Sequence, residues 1–579
     1  MIQSLNGQSN GQPQNGHKAT ENRNGYESSA QVDSPVIGTV KGPGDTSSQF
    51  IFITADTKAV KVGEFVYYSL DNPGSQIQKI MGKISALQLL DHLPDRIFAD
   101  KDINPSAVAA LVGFTHPNPE IYAVTVEVVG YFHPAMGFIN PRRPPDPGTK
   151  VHLASSAMLR SVLNRQDPSQ QGGAHLGSLL LRKEGEVPVV LDVKEMVSTH
   201  LAILAGTGSG KSYTAGVLIE ELLLPKNRAA VLIFDPHGEY HTLSSIQGNP
   251  AFVGEDGYQP KVKVLTHEEI RIRISSLSFF DILTLLPELT ERQRSFLEKG
   301  FHNTTLNNSQ RWTIQDLIDS INAADSTEDG TQGSSAAALE WKLDQIERSP
   351  YFSNHEHLAP RDLFQPGQVT ILQMNEISQE EQQVIAAAIL RQANKARMDT
   401  HKGKVDERQE TYLPYPVFIL IEEAHRFAHA HEDSRCKKIL RTILSEGRKF
   451  GLGVGLITQR PGKLDSDILS QCMSQFLMRI VNPADQENLR QSVEAAGRDL
   501  LQELPALSKG QVIVSGVCVN TPVLCKVRQR LTPHGGETLD ILGLWQQHFQ
   551  PHQMEARQAK QAPLKPRIQP SVLDGLSID

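Results

Sequence analysis

The sequence predicts an α/β fold: a mostly parallel sheet covered by helices, interrupted by a helical insert and preceded by a small β-barrel. Three observations predict it. Short apolar runs at Leu201–Leu204, Ala229–Phe234, Val369–Met374, Val417–Ile421 and Leu452–Ile457 alternate with helical patterns, the rhythm of strands buried on both faces. Ahead of them, the β-rich runs Phe50–Thr54, Gly63–Tyr68 and Ile121–Val129 are separated by Gly/Pro clusters, as in a barrel or sandwich. Between the second and third α/β strands lies a long stretch of helical periodicity.

In chain order, residues 1–34 are polar and nearly free of large apolar side chains, too few to offset chain entropy, and are expected to be a disordered tail. Residues 35–155 form the barrel domain. A linker is expected over 156–176, where Asn164 to Gly173 reads N-R-Q-D-P-S-Q-Q-G-G. The core spans 177–530, with a helical subdomain at about 276–350. There Thr290 with Gln293 and Thr313 with Asp316 have the spacing of helix caps. Ile314, Leu317, Ile318 and Ile321 share one helix face, and a polar loop is expected from Ala324 to Ser335. Residues 531–579 form a C-terminal tail whose end is expected to be disordered.

Composition limits the function. Of 579 residues 21% are charged and 39% apolar, which suits a globular chain rather than a fibre. A net charge of −8 argues against a uniformly basic, nucleic-acid-coating surface but allows a basic pore or loop. Cys436, Cys472, Cys518 and Cys525 form no C-x-x-C pair, so neither zinc ribbon nor disulfide framework is suggested. With no secretory signal and no apolar run of the ~18 residues that span a bilayer, a cytoplasmic protein without membrane contact is expected.

The chemistry begins at Ala205-Gly-Thr-Gly-Ser-Gly-Lys-Ser212. The run follows an apolar strand and opens a helix, the setting of a phosphate-binding loop for ATP. Gly206, Gly208 and Gly210 let the backbone wrap closely, and the helix's positive end favours anions. Lys211 is placed for the β- and γ-phosphates and the Ser212 hydroxyl for Mg2+. The nucleotide-binding set is Ala205, Gly206, Thr207, Gly208, Ser209, Gly210, Lys211, Ser212 and Tyr213. A bare glycine-rich turn is the competing reading.

The strand Val417–Ile421 runs into Glu422-Glu423-Ala-His425. C-terminal strand ends in such sheets face the ligand, so Glu422 is the candidate metal carboxylate and Glu423 the candidate base for the attacking water. Two glutamates opening a solvated helix is the alternative. Gln459, after Leu452–Ile457, can report the γ-phosphate. Arg448, in Ser445-Glu-Gly-Arg-Lys-Phe-Gly451, can neutralise transition-state charge within one subunit or from a neighbour. It can equally complement a helix C-terminus. Asp235 and Glu239, in D-P-H-G-E-Y, add two carboxylates on the same side, placed to position water or to couple the nucleotide to a neighbour; an ordinary Asp-Pro turn is the alternative. His425, His429 and His431 lack an H-E-x-x-H pattern and a cysteine partner, which argues against zinc.

Taken in order, the runs from Thr199, Phe234, Ile421, Glu446 and Thr458, with Arg530-Leu-Thr-Pro-His-Gly-Gly536, resemble the HerA family of the HerA/FtsK class of ATPases, over nearly everything after residue 35. The resemblance implies a HAS-barrel-like domain, a RecA-like core and a C-terminal segment that braces a neighbour. It also implies a homo-oligomer, a hexamer, that moves double-stranded DNA with a NurA-type nuclease or another effector. For Arg448 it implies a trans-acting or sensor role. Glu422 stands where many relatives carry Asp. An ATP-dependent assembly scaffold and a secretion-type motor remain open alternatives at this point.

Overall fold

A computed structural model describes residues 34–46, 48–56, 58, 60–70, 78–90, 121–134, 136–286, 288–307, 311–329, 334–493, 501–535 and 541–548. The expected tail over 1–34, apart from Ser34, and the chain after 548 lie outside the described residues. The chain divides into two units, 1–128 with 141–155 and 129–140 with 156–579.

The first unit is antiparallel. Its strands are β1 (Val36–Pro43), β2 (Gln49–Thr54), β3 (Phe65–Leu70), β4 (Gln78–Leu90), β5 (Ile121–His133) as far as Val128 and β7 (Lys150–Leu153); the end of β5 pairs with β6 (Gly137–Ile139), and that pair falls within 129–140 of the second unit. The order β2-β1-β7-β3-β4-β5 closes through a β2–β5 pairing, which leaves no free edge. Alternation along β2 turns Phe50 and Phe52 inward, where they are fully buried with Tyr68, Val124 and Val126. Gly82 makes the closure possible, since a Cβ there would lie 2.4 Å from Val126 Cγ1.

The second unit is built on a sheet of β8 (Gly173–Leu179), β9 (Pro188–Asp192), β10 (Leu201–Leu204), β11 (Ala230–Asp235), β12 (Lys261–Leu265), β15 (Gln368–Gln373), β16 (Val417–Ile421), β17 (Leu452–Thr458), β18 (Ser474–Leu477), β19 (Gln511–Gly516) and β20 (Val523–Val527). A separate short pair is β13 (Ile272–Arg273) with β14 (Phe352–Ser353). The sheet order is β12-β15-β11-β16-β17-β10-β18-β19-β20-β8-β9. From β12 to β18 all pairings are parallel, and from β18 to β9 all are antiparallel. The central strands are apolar up to their last residues, Asp235 in β11 and Thr458 in β17, because both faces are covered: every residue of β10, β11, β16 and β17 is buried.

Two expectations change. The segment 156–176, expected as a linker, carries a helix at Ser156–Leu163 and the start of β8; β8 reaches the core sheet by pairing with β20. The loop expected from Ala324 is helical as far as Asp329, and the next helix begins at Ser334. Polar composition misled here, because a run of Ala, Asp, Ser, Thr and Glu shows no apolar periodicity and yet is compatible with a helix.

The helical insert comprises Phe279–Leu285, Glu291–Asn307, Ile314–Asp329 and Ser334–Arg348. Its caps have the expected reciprocal form: the Gln293 amide donates to Thr290 Oγ1 at 3.3 Å, and Thr290 N donates to Gln293 Oε1 at 3.1 Å. Thr313 and Asp316 repeat it. Ile314, Leu317, Ile318 and Ile321 are all buried. Gly300 lets the second and third of these helices meet closely, since a Cβ would stand 2.4 Å from Ile321 Cγ1.

Candidate nucleotide site

β10 ends at Leu204 and the chain turns over 205–210 into the helix Lys211–Leu223. Two left-handed glycines make the turn, Gly208 at φ 75° and Gly210 at φ 102°, a conformation that costs other residues about 1–2 kcal/mol. Neighbouring strands brace the loop: Ala205 N donates to Thr458 O at 3.2 Å, and Gly206 N to Arg479 O at 2.7 Å. Ser209 Oγ donates to Gly206 O at 2.7 Å.

β17 lies between β10 and β16, so one strand separates the phosphate loop from the acidic strand end. Across that gap Lys211 Nζ donates to Glu422 Oε1 at 2.7 Å and to Glu423 Oε1 at 3.0 Å. Ser212 Oγ donates to Glu239 and also lies 3.3 Å from Glu422 Oε1. Gln459, just past β17, accepts from Thr207 Oγ1 at 3.0 Å. The structure thus brings Thr207, Lys211, Ser212, Glu422, Glu423 and Gln459 together, with Glu239 added.

Glu423 has φ 49°, left-handed for a residue with a full side chain, and such strain persists only where the surroundings enforce it. Its Oε2 faces His425 Nδ1 at 3.2 Å, and the same nitrogen is 2.9 Å from Thr458 Oγ1. Burial pushes His425 down to about 4; Glu423 opposes this, while Arg460, Arg426 and Lys463 add to it. Burial raises the Glu422 carboxyl to about 8, against the pull of Lys211. For Lys211, burial works downward but the two glutamates prevail and raise it. Glu422 Oε2 is fully buried and has no hydrogen-bond partner among the described residues.

Two sequence-selected residues are not brought in. Arg448 is exposed on the turn Gly447–Phe450 at the start of β17, whereas Gln459 follows its end. Seven extended residues, ~20 Å at ~3.3 Å per residue, separate its turn from Gln459 and the phosphate loop. Tyr213 sits in the first turn of the helix, but its hydroxyl accepts from Arg530 N at 2.9 Å and its ring meets His534 edge-on at 5.6 Å. Its side chain serves the C-terminal segment. That segment, residues 528–535, packs on the phosphate-loop helix of its own chain through Glu220, where the start of a neighbour-bracing tail was expected.

Sequence reasoning missed the cations around the opening. Arg426, Arg460 and Lys463 line a cleft with Glu423, His425 and Gln459, and Arg460 also borders Gly206 and Thr207. The T-Q-R-P run contained the signal, since Arg460 adjoins the γ-phosphate candidate Gln459.

Comparison with known proteins adds three findings. A family model described as "Helicase HerA, central domain" matches residues 174–393. The DNA double-strand break repair helicase HerA of Saccharolobus solfataricus is 27% identical over 88% of this chain and 95% of its own length; its namesake in Pyrococcus furiosus is 27% identical over 74% and 82%. Among solved structures, VirB4 of Thermoanaerobacter pseudethanolicus superposes with a TM-score of 0.44 at 14% identity, over 63% of this chain and 97% of that one. The bacterial conjugative coupling protein TrwB gives 0.43 at 13%, over 66% and 94%.

Proposed function

We propose that this chain, which belongs to the HerA family, is an ATP-hydrolysing motor that moves double-stranded DNA as a homo-hexameric ring, in DNA end processing with a nuclease partner. The observation that supports it most is the position of Lys211, held between Glu422 and Glu423 at 2.7 and 3.0 Å. Relatives over most of the chain carry the name of DNA double-strand break repair helicases.

The residues fit a magnesium nucleotide. Ser212 and Glu422 offer a hydroxyl and a carboxylate, and the unpartnered, fully buried Glu422 Oε2 is an oxygen in want of a cation. Mg2+ held there supplies charge neutralisation for the phosphates. Lys211, released from its glutamates, adds a point charge between the β- and γ-phosphates. Glu423 orients the lytic water as a hydrogen-bond acceptor. Gln459, tied to Thr207, registers loss of the γ-phosphate, and Arg448 reaches the phosphates of a neighbouring subunit. DNA is gripped by its phosphates, so affinity falls steeply with salt.

Phosphate release, measured with and without linear duplex at low salt, tests this reading. We expect stimulation by duplex that fades as salt rises. ATP turnover indifferent to duplex at every salt concentration would contradict a DNA motor.

A further inference from the structure

The site holds more acid than the phosphate loop needs. Glu422 and Glu423 hold the one lysine, Asp235 and Glu239 act on Glu422 through their charge, and Asp235 and Glu422 are fully buried. Lys211 contacts one oxygen of Glu422 and one of Glu423. Ser212 Oγ donates to Glu239 and, more weakly at 3.3 Å, to Glu422 Oε1, so neither contact reaches Glu422 Oε2.

Glu239 is where it is by construction. Asp235, at the end of β11, accepts the Glu239 amide on Oδ1 at 3.1 Å and the Tyr240 amide on Oδ2 at 3.1 Å. Gly238 at φ 72° turns the chain so that the Glu239 side chain reaches back to Ser212. A buried carboxylate used as a backbone clamp makes this turn rigid.

From this geometry we infer that Glu239 is a second carboxylate of the metal site, facing Glu422 across Ser212 and fixing the ion through its water shell. The assignment rests on the reading of the site as one for magnesium nucleotide. Among the described residues no group of three or more His, Cys, Asp or Glu is arranged to hold a metal alone. That suits Mg2+, which keeps several waters and is bound by one or two carboxylates plus substrate phosphates. The second observation is the fully buried, unpartnered Glu422 Oε2, on a carboxyl whose other oxygen lies 3.3 Å from the same hydroxyl: when Lys211 turns to the phosphates, Glu422 loses its cationic partner, and a hydrated metal ion at Ser212 replaces it.

The test uses the full-length chain, its E239Q variant and the conservative E239D, each checked for unchanged melting. ADP affinity is measured by calorimetry in EDTA, and Mn2+ affinity in the presence of saturating ADP by electron paramagnetic resonance. For E239Q we expect Mn2+ affinity to fall about 10–100-fold, the effect of losing an outer-sphere partner, with metal-free ADP affinity unchanged; E239D recovers part of the loss. Unchanged Mn2+ affinity in E239Q would overturn the assignment, as would an equal fall in metal-free ADP affinity, which marks a merely structural role. Failure of the wild type to bind ADP at all would remove the nucleotide site itself, and so separates that reading's failure from this one's.

Discussion

Lys211 carries one positive charge into a pocket with four carboxylates, and that imbalance sets the pH response. Burial raises the Glu422 carboxyl to about 8, so near neutrality it is largely protonated, and a metal must displace that proton to bind. Metal affinity should therefore fall as pH falls through that value, by up to about tenfold per pH unit. Calorimetry of ADP with Mg2+ between pH 6 and 9 checks this; the slope should vanish in Glu422→Gln, while metal-free ADP binding stays nearly flat. At this scale much was legible. The G-K-S ending named Lys211 and Ser212, and the paired glutamates after an apolar strand named their partners. The left-handed Glu423 was not legible, because only the packing around a non-glycine residue reveals such a conformation. Nor was the Ser212–Glu239 contact, which joins the first turn of a helix to the turn after β11.

The helix Lys211–Leu223 links the site to the end of the chain. Its Glu220 is fully buried and accepts Leu531 N at 3.0 Å, Thr532 N at 3.0 Å, Thr532 Oγ1 at 2.7 Å and Arg528 Nη1 at 3.0 Å. Glu221 takes the other Arg528 nitrogen at 2.9 Å. Arg530 lies across the helix where Gly216 has no side chain; a Cβ there would stand 2.6 Å from the guanidinium carbon. Glu220→Ala should cost about 3–5 kcal/mol, because it strands a buried arginine and several donors, and chemical denaturation measures it. A change below about 1 kcal/mol would mean that the segment is not held by this glutamate. Periodicity and apolar runs located β10, β11, β15, β16 and β17 to within a residue, yet missed the parallel edge strand β12 and the wing of β18, β19, β20, β8 and β9. β8 begins at the end of a stretch whose Gly, Gln and Ser read as loop.

At the scale of the whole molecule, Arg448 is the residue through which we propose that one chain acts on another. It is exposed, and β17 runs away from it toward the phosphate loop. Mixing R448A with K211A then becomes informative: each is inactive alone, but an R448A subunit retains an intact Lys211 that a K211A neighbour's Arg448 can complete. ATP hydrolysis should reappear on mixing and peak at intermediate ratios; no recovery at any ratio would show that Arg448 does not act across an interface.

The central claim is that Lys211, Glu422 and Glu423 form a hydrolytic site, and the Glu423→Gln variant tests it most directly. With Mg2+, ATP and linear duplex present, phosphate release by this variant should fall by about 10²–10⁴-fold, the usual worth of a positioned general base, while ATP affinity stays close to that of the wild type. Wild-type turnover in the variant would contradict the account, because the water would then be activated elsewhere.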